Sequence, residues 1–160
     1  MIELLVVIGL ISLLTYIGYP YYKVFMRNAA YRAAAREIAS TMQMARTQAV
    51  SMNREQRLEI DLDNDRFRLS QGERARHSDN WETSPWQNVS PLVNLHAAQD
   101  LSVANDCKED EETLDLRFFP NGTTSRALAV CVLNPDGQHK FTTRLLFPTT
   151  GQVEIVRPQP

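Results

Sequence analysis

From Leu4 to Tyr22 the chain carries no charged side chain, and the run ends only at Lys23. A stretch of that length matches the ~20 residues that a helix needs to cross a bilayer. The spacing of apolar residues leaves no polar face, so a core helix of a soluble domain is the weaker reading and a membrane span the leading expectation. A cleavable secretory signal does not fit, because Met1 is followed at once by Ile2 and Glu3 instead of a basic segment.

Glu3 stands at the lip of this run, where an ionised carboxylate is costly unless it reaches an interface or a partner. Two readings are open from the residues alone. The helix macrodipole favours a carboxylate near the N-terminus, or a positive group on a neighbouring subunit neutralises it when such helices bundle. Pro20 follows 17 residues after Glu3. It removes the hydrogen bond to the Tyr16 carbonyl, so a kink or local melting of the helix is expected there. Tyr16, Tyr19, Tyr21 and Tyr22 cluster where an aromatic belt would meet a membrane surface, although plain packing would also account for them.

Helical periodicity continues beyond the run. Tyr31, Ala35, Ile38, Met42, Ala45, Ala49 and Met52 recur at alternating spacings of four and three and lie on one stripe. The stripe is small, so a sheet can approach it closely. Arg32, Arg36 and Arg46 fall off the stripe and read as a solvated face. One helix over residues 2–52 is therefore expected, roughly 75 Å long at 1.5 Å per residue.

After Asn53 the period changes to two. Leu58, Ile60 and Leu62 alternate with charged residues, Asp63-Asn64-Asp65 turns the chain, and Phe67 and Leu69 resume the pattern as the second arm of a hairpin. Trp81 and Trp86 read as anchors of a long polar connection. Further strands are expected over Leu92–Val103, Leu114–Phe118, Leu128–Val132, Phe141–Phe147 and Val153–Val156, separated by Pro120-Asn121-Gly122 and Asn134-Pro135-Asp136-Gly137. The division is residues 1–22 as an apolar half-helix, 23–53 as an amphipathic half-helix and 54–160 as a β-rich head. The class is α+β, a long N-terminal helix packed on an antiparallel sheet.

The chemistry-bearing residues are few. Asp61, Asp63 and Asp65 alternate as in a calcium loop, but Arg66 and Gly72 occupy the positions that need Gly and Glu. His77, His96 and His139 stand far apart with no Cys-x-x-Cys, so no metal or other cofactor is expected. No nucleophile elbow, phosphate loop or dinucleotide fingerprint occurs, and the chain is not read as an enzyme. Cys107 and Cys131 are either two buried thiols or a disulfide, and an exported body favours the disulfide. A net charge of -2 and a pI near 5.9 argue against a surface built to coat nucleic acid.

Ile2-Glu3-Leu4-Leu5-Val6-Val7-Ile8 followed by Pro20 resembles the N-terminal helix of type IV pilins and type II secretion pseudopilins. The stretch Arg36–Val50, with Ala45-Arg46, and the segments Phe118-Phe119-Pro120-Asn121-Gly122-Thr123 and Leu146–Val153, with Gly151, resemble the GspH/FimT branch of minor pilins. The family's leader peptide, Gly and opening Phe do not precede Ile2 here, and an upstream start is expected. The resemblance implies maturation by prepilin peptidase with N-methylation, and residence in the bacterial inner membrane as a single-pass protein with its head in the periplasm. From there it implies transfer, through assembly-platform proteins, into a pilus or pseudopilus beside other minor and major pilins or pseudopilins. It implies that Glu3 neutralises the N-terminal amine of the adjacent subunit. The function so implied is a minor pilin at or near a type IV pilus tip that helps to initiate assembly. A minor pseudopilin of a type II secretion system and a DNA-binding uptake pilin are the alternatives. In DNA-uptake members a basic C-terminal stretch contacts DNA, whereas the matching tail here offers one acid, Glu154, and one base, Arg157, which disfavours nucleic acid as a partner.

Overall fold

The computed structural model describes residues 2–98, 107–108, 113–145 and 148–157. Its N-terminal element α1 (Ile2–Met52) is one helix of 51 residues that runs unbroken through Pro20. The local melting expected at Pro20 is thus absent. Proline removes only its own donor, and the carbonyls and amides of the neighbouring turns continue the ladder on both sides. Asn53 ends the helix in the left-handed conformation (φ 53°), which an Asn tolerates better than most residues.

Ten strands follow: β1 (Gln56–Asp61), β2 (Arg66–Gly72), β3 (Trp81–Thr83), β4 (Gln87–Asn88), β5 (Asn94–Ala98), β6 (Cys107–Lys108), β7 (Thr113–Phe118), β8 (Leu128–Leu133), β9 (His139–Leu145) and β10 (Val153–Val156). The expected long helix packed on antiparallel sheet is present, with the strands divided between two antiparallel sheets. In one, the order is β3-β2-β1-β7 with β4 also on β2; in the other it is β10-β9-β8-β5-β6. Alternation identifies strands but not their partners, so the split could not be read from the pattern. Parts of the expected strands over Leu92–Val103 and Phe141–Phe147 lie outside the described residues.

The register lines up the apolar positions. Leu69, Leu58 and Leu116 form one inward row, and Phe67, Ile60 and Leu114 form the next. In the second sheet Val130 and Val132 sit beside Ala97 and Leu95, and β8 is buried along its whole length. Between the two inner faces lies the small-residue stripe of α1. Tyr31, Ala35, Ile38, Met42, Ala45 and Ala49 are all buried, and only Met52 at the helix end is exposed. Alanines at the contact let β9, β1 and β10 close on the helix, and the buried Thr143 Oγ1 donates to the Ala35 carbonyl at 3.0 Å.

Asp65 joins the sheets. It turns the β1–β2 hairpin with φ 48°, and its Oδ1 accepts the Leu95 amide of β5 at 2.6 Å. Burial raises its carboxyl above the ordinary carboxylate range, and the Leu95 hydrogen bond opposes this only in part. A carboxyl with a raised folded-state pKa binds its proton more tightly when folded. It therefore costs stability once the pH has risen through that pKa, and the cost vanishes below its unfolded value. Asp65→Asn keeps the acceptor and the tolerance for φ > 0 while removing the buried charge. Urea unfolding of the full chain in micelles should find it more stable than wild type at pH 7, with the gain gone near pH 3.

Candidate functional site

The first half of α1 has no partner in its own chain. Leu4, Val6, Val7, Ile8, Leu10, Ile11, Leu13, Leu14 and Ile17 all leave more than half of their surface exposed, as do Tyr16, Tyr19, Tyr21, Tyr22 and Phe25. Exposed apolar surface of this extent around a whole helix marks an interaction surface, since soluble monomers rarely show large apolar patches. Its Ser and Thr hydroxyls are satisfied within the helix. Ser12 Oγ donates to the Ile8 carbonyl and Thr15 Oγ1 to the Ile11 carbonyl, both at 2.8 Å. A backbone and hydroxyls that need no water suit burial among other apolar helices or lipid. Among the described residues, no helix is long and apolar enough to cross a membrane. Glu3 is exposed, and among the described residues no cation pairs with it. Lys23, where the run ends, places its Nζ 4.6 Å from the Tyr19 ring centre.

The second half of α1 carries the device that fixes the head. Arg46 is not the solvated residue that its place off the stripe suggested. Its Nε donates to the Gly122 carbonyl at 3.2 Å, and a Cβ on Gly151 would meet that same Nε at 2.7 Å. Gly122 and Gly151 both hold left-handed φ, 78° and 59°, and one guanidinium seats both turns against the helix. Three residues from separate parts of the chain, each within a segment carrying the family resemblance, thus meet at one point. Only the chance to pair a helical Arg with two turn glycines could have signalled this.

The outer face of the first sheet neutralises its own arginines. Arg57 and Arg68 pair with Glu59 at 2.7 and 2.5 Å, and Arg66 pairs with Asp61 at 2.8 Å. Trp81 lies under Arg57 and Arg117, and Trp86 under Arg66 and Arg68, with 4.3–5.7 Å between guanidinium and ring centre. The two tryptophans do anchor the long connection, by stacking. Burial alone would raise the Asp61 carboxyl, but Arg66 and Asn64 together hold it below the ordinary carboxylate range. Arg157 stacks on Phe141 at 5.4 Å.

Cys107 and Cys131 form a disulfide with Cα atoms 6.0 Å apart, tying the short β6 to the central β8. The fold also brings His139 to them, so that one ring nitrogen and the two sulfurs all lie within 4.8 Å of one another. That grouping was hidden by sequence spacing. With both sulfurs in the S–S bond it offers no thiolate for a metal.

The family model described as Type II transport protein GspH matches residues 34–158. A search of curated proteins finds no match. Among solved structures, the minor pseudopilin EpsH of the Vibrio cholerae type 2 secretion system superposes with a TM-score of 0.57 at 10% identity, covering 81% of this chain and 98% of that one. The type IV minor pilin FimU of Pseudomonas aeruginosa gives 0.53 at 19% identity, covering 80% and 97%. Escherichia coli GspH gives 0.59 at 9% identity, covering 81% and 89%.

The clamp at Arg46 makes a quantitative expectation. Gly151→Ala adds both a left-handed φ penalty and a clash, and should cost about 1–3 kcal/mol in urea unfolding. In an Arg46→Ala background the clash is gone, so the same substitution should cost measurably less, a coupling that a double-mutant cycle reads directly.

A bare apolar half-helix, a pilin-like helix-and-sheet fold and a family match over residues 34–158 converge on one assignment: the chain belongs to the GspH family of minor pilins and pseudopilins, whose members are structural subunits and are not known as enzymes.

Proposed function

We propose that this chain is a minor pilin, incorporated at or near the tip of a type IV pilus, where it helps to initiate assembly. The observation that carries the reading is the apolar half-helix, exposed on all sides and bearing the single acid Glu3. Residues 1–22 rest first in the inner membrane and then in the filament core, residues 23–53 pack on the head, and residues 54–160 are displayed. Within the core Glu3 meets the N-terminal amine of the adjacent subunit; either charge buried alone would be costly, and together they fix the axial register. Pro20, helical in the isolated chain, is the turn that yields when neighbouring helices demand it. Extraction from the membrane, after prepilin peptidase has matured the chain, is the work of the assembly platform, and growth proceeds by heterologous head-to-tail contacts with other pilins.

A minor pseudopilin of a type II secretion system uses the same geometry and stands as the second reading. DNA uptake is less well supported, since the arginines of the first sheet are paired or stacked in place, Arg157 is laid on Phe141, and each phosphate contact needs a free cation. Deleting the gene should abolish or sharply reduce surface pili and twitching while leaving protein export intact, and Glu3→Ala should reproduce that loss with the subunit still present in the membrane fraction. Normal piliation with impaired export would transfer the assignment to the secretion system.

A further inference from the structure

Between Leu4 and Arg36 the only charged side chains are Lys23, Arg27, Arg32 and Arg36, all cations, and the next acid is Glu37. Taking these four from the 17 Lys and Arg leaves 13 against 19 Asp and Glu, so the rest of the chain stands at -6. The four cations occupy one short length of α1, roughly 20 Å at 1.5 Å per residue, between the bare apolar half and the head. All are exposed, and among the described residues no carboxylate pairs with any of them. The arginines of the first sheet, by contrast, are paired where they stand.

Two of the four share a recess. Asn28, Arg32 and Arg36 follow one another at intervals of four and so line up along one side of the helix. With Phe25, Ala29 and Ala33 they line a shallow concavity of about 360 Å³. All six are exposed, so the recess lies off the face that α1 buries against its own head. Its lining holds two guanidiniums, one side-chain amide and no carboxylate. The ligand that answers it is an anion with several acceptor oxygens, and a phosphate group matches the guanidinium fork.

Position along the helix decides which phosphate. Val24, Phe25 and Met26 carry the exposed apolar surface just past Lys23, so a span of ~20 residues can end at Met26. Arg27, Asn28 and Arg32 start within about 10 Å of that boundary. Helical side chains lean toward the N-terminus, which brings Arg36 back toward the same depth. On the topology proposed above, these cations also lie on the side that the positive-inside rule keeps poor in Lys and Arg. They are therefore no orientation signal, and a local counter-charge gives them a role. We infer that this collar binds the headgroup phosphate of an anionic phospholipid. Arg32, Arg36 and Asn28 hold the phosphate, the Phe25 ring lies at the foot of the recess among the acyl chains, and Lys23 and Arg27 face further headgroups. The inference rests on the membrane residence proposed above and continues the apolar surface of residues 4–22 into the polar layer of the bilayer.

The test is an NMR titration of the full chain in uncharged maltoside micelles, following the Arg27, Arg32 and Arg36 Nε–H signals and the Asn28 side-chain amide. The micelles are doped with phosphatidylglycerol or with phosphatidylcholine of the same acyl chains, and inorganic phosphate is titrated separately. Phosphatidylglycerol should shift these signals saturably and bind at least about tenfold more tightly than phosphatidylcholine, a preference that falls as salt is raised. Arg32→Gln and Arg36→Gln should each reduce the preference about fivefold, and together bring it near parity, with the signals of the head unchanged. Equal binding of the two lipids, an equal response to inorganic phosphate, or a double variant that keeps the preference would each overturn the inference. Shifts that follow protein concentration instead of lipid would also overturn it, in favour of a neighbouring subunit as the partner. Protection of residues 4–22 from a soluble gadolinium chelate reads the membrane assignment separately. A protected helix without lipid preference removes the collar alone, whereas an unprotected one removes both.

Discussion

The contact on which the head depends is that between the alanine stripe of α1 and the two sheets. Ala35, Ala45 and Ala49 are fully buried, so backbones approach where larger side chains would hold them apart, and the rows of Leu58, Ile60, Leu116, Val130 and Val132 close over the same helix face. The helix face and both sheets share one core cluster, which makes the rear half of α1 the structural centre of a domain that it enters from one end.

The front half of the same helix shows the reverse. Its backbone runs as one unbroken helix without any partner, yet its apolar surface is bare. One continuous element thus belongs to two environments, and the boundary between them falls near Tyr31, the first buried residue of the stripe. Pro20 lies well on the bare side of that boundary, where the cost of a lost hydrogen bond is not compounded by lost packing. A proline in the stripe would break the fold, while one at position 20 leaves the head untouched.

Electrostatics in the head is organised locally. Arg66 and Arg68 pair across to β1, Arg57 pairs along its own strand, and all three are laid on Trp81 or Trp86, so a face rich in cations presents little free charge. Arg46 acts differently. It reaches from the helix to hold two separate turns of the head, and so couples the loop after β7 with the turn before β10. The disulfide and Asp65 add cross-links of the same kind, the first between β6 and β8 and the second between the hairpin of one sheet and a strand of the other.

The sequence by itself determined the long helix, its buried stripe, the change of period at Asn53 and most strands, because these follow from spacing along a single element. The disulfide was legible as one of two options. What only the tertiary structure decided is which elements meet. The split into two sheets, the meeting of Arg46 with Gly122 and Gly151, and the nearness of His139 to the disulfide all join residues far apart in the chain. Periodicity assigns a side chain to a face, but the partner across that face is set by strand pairing and loop closure, which no local pattern encodes.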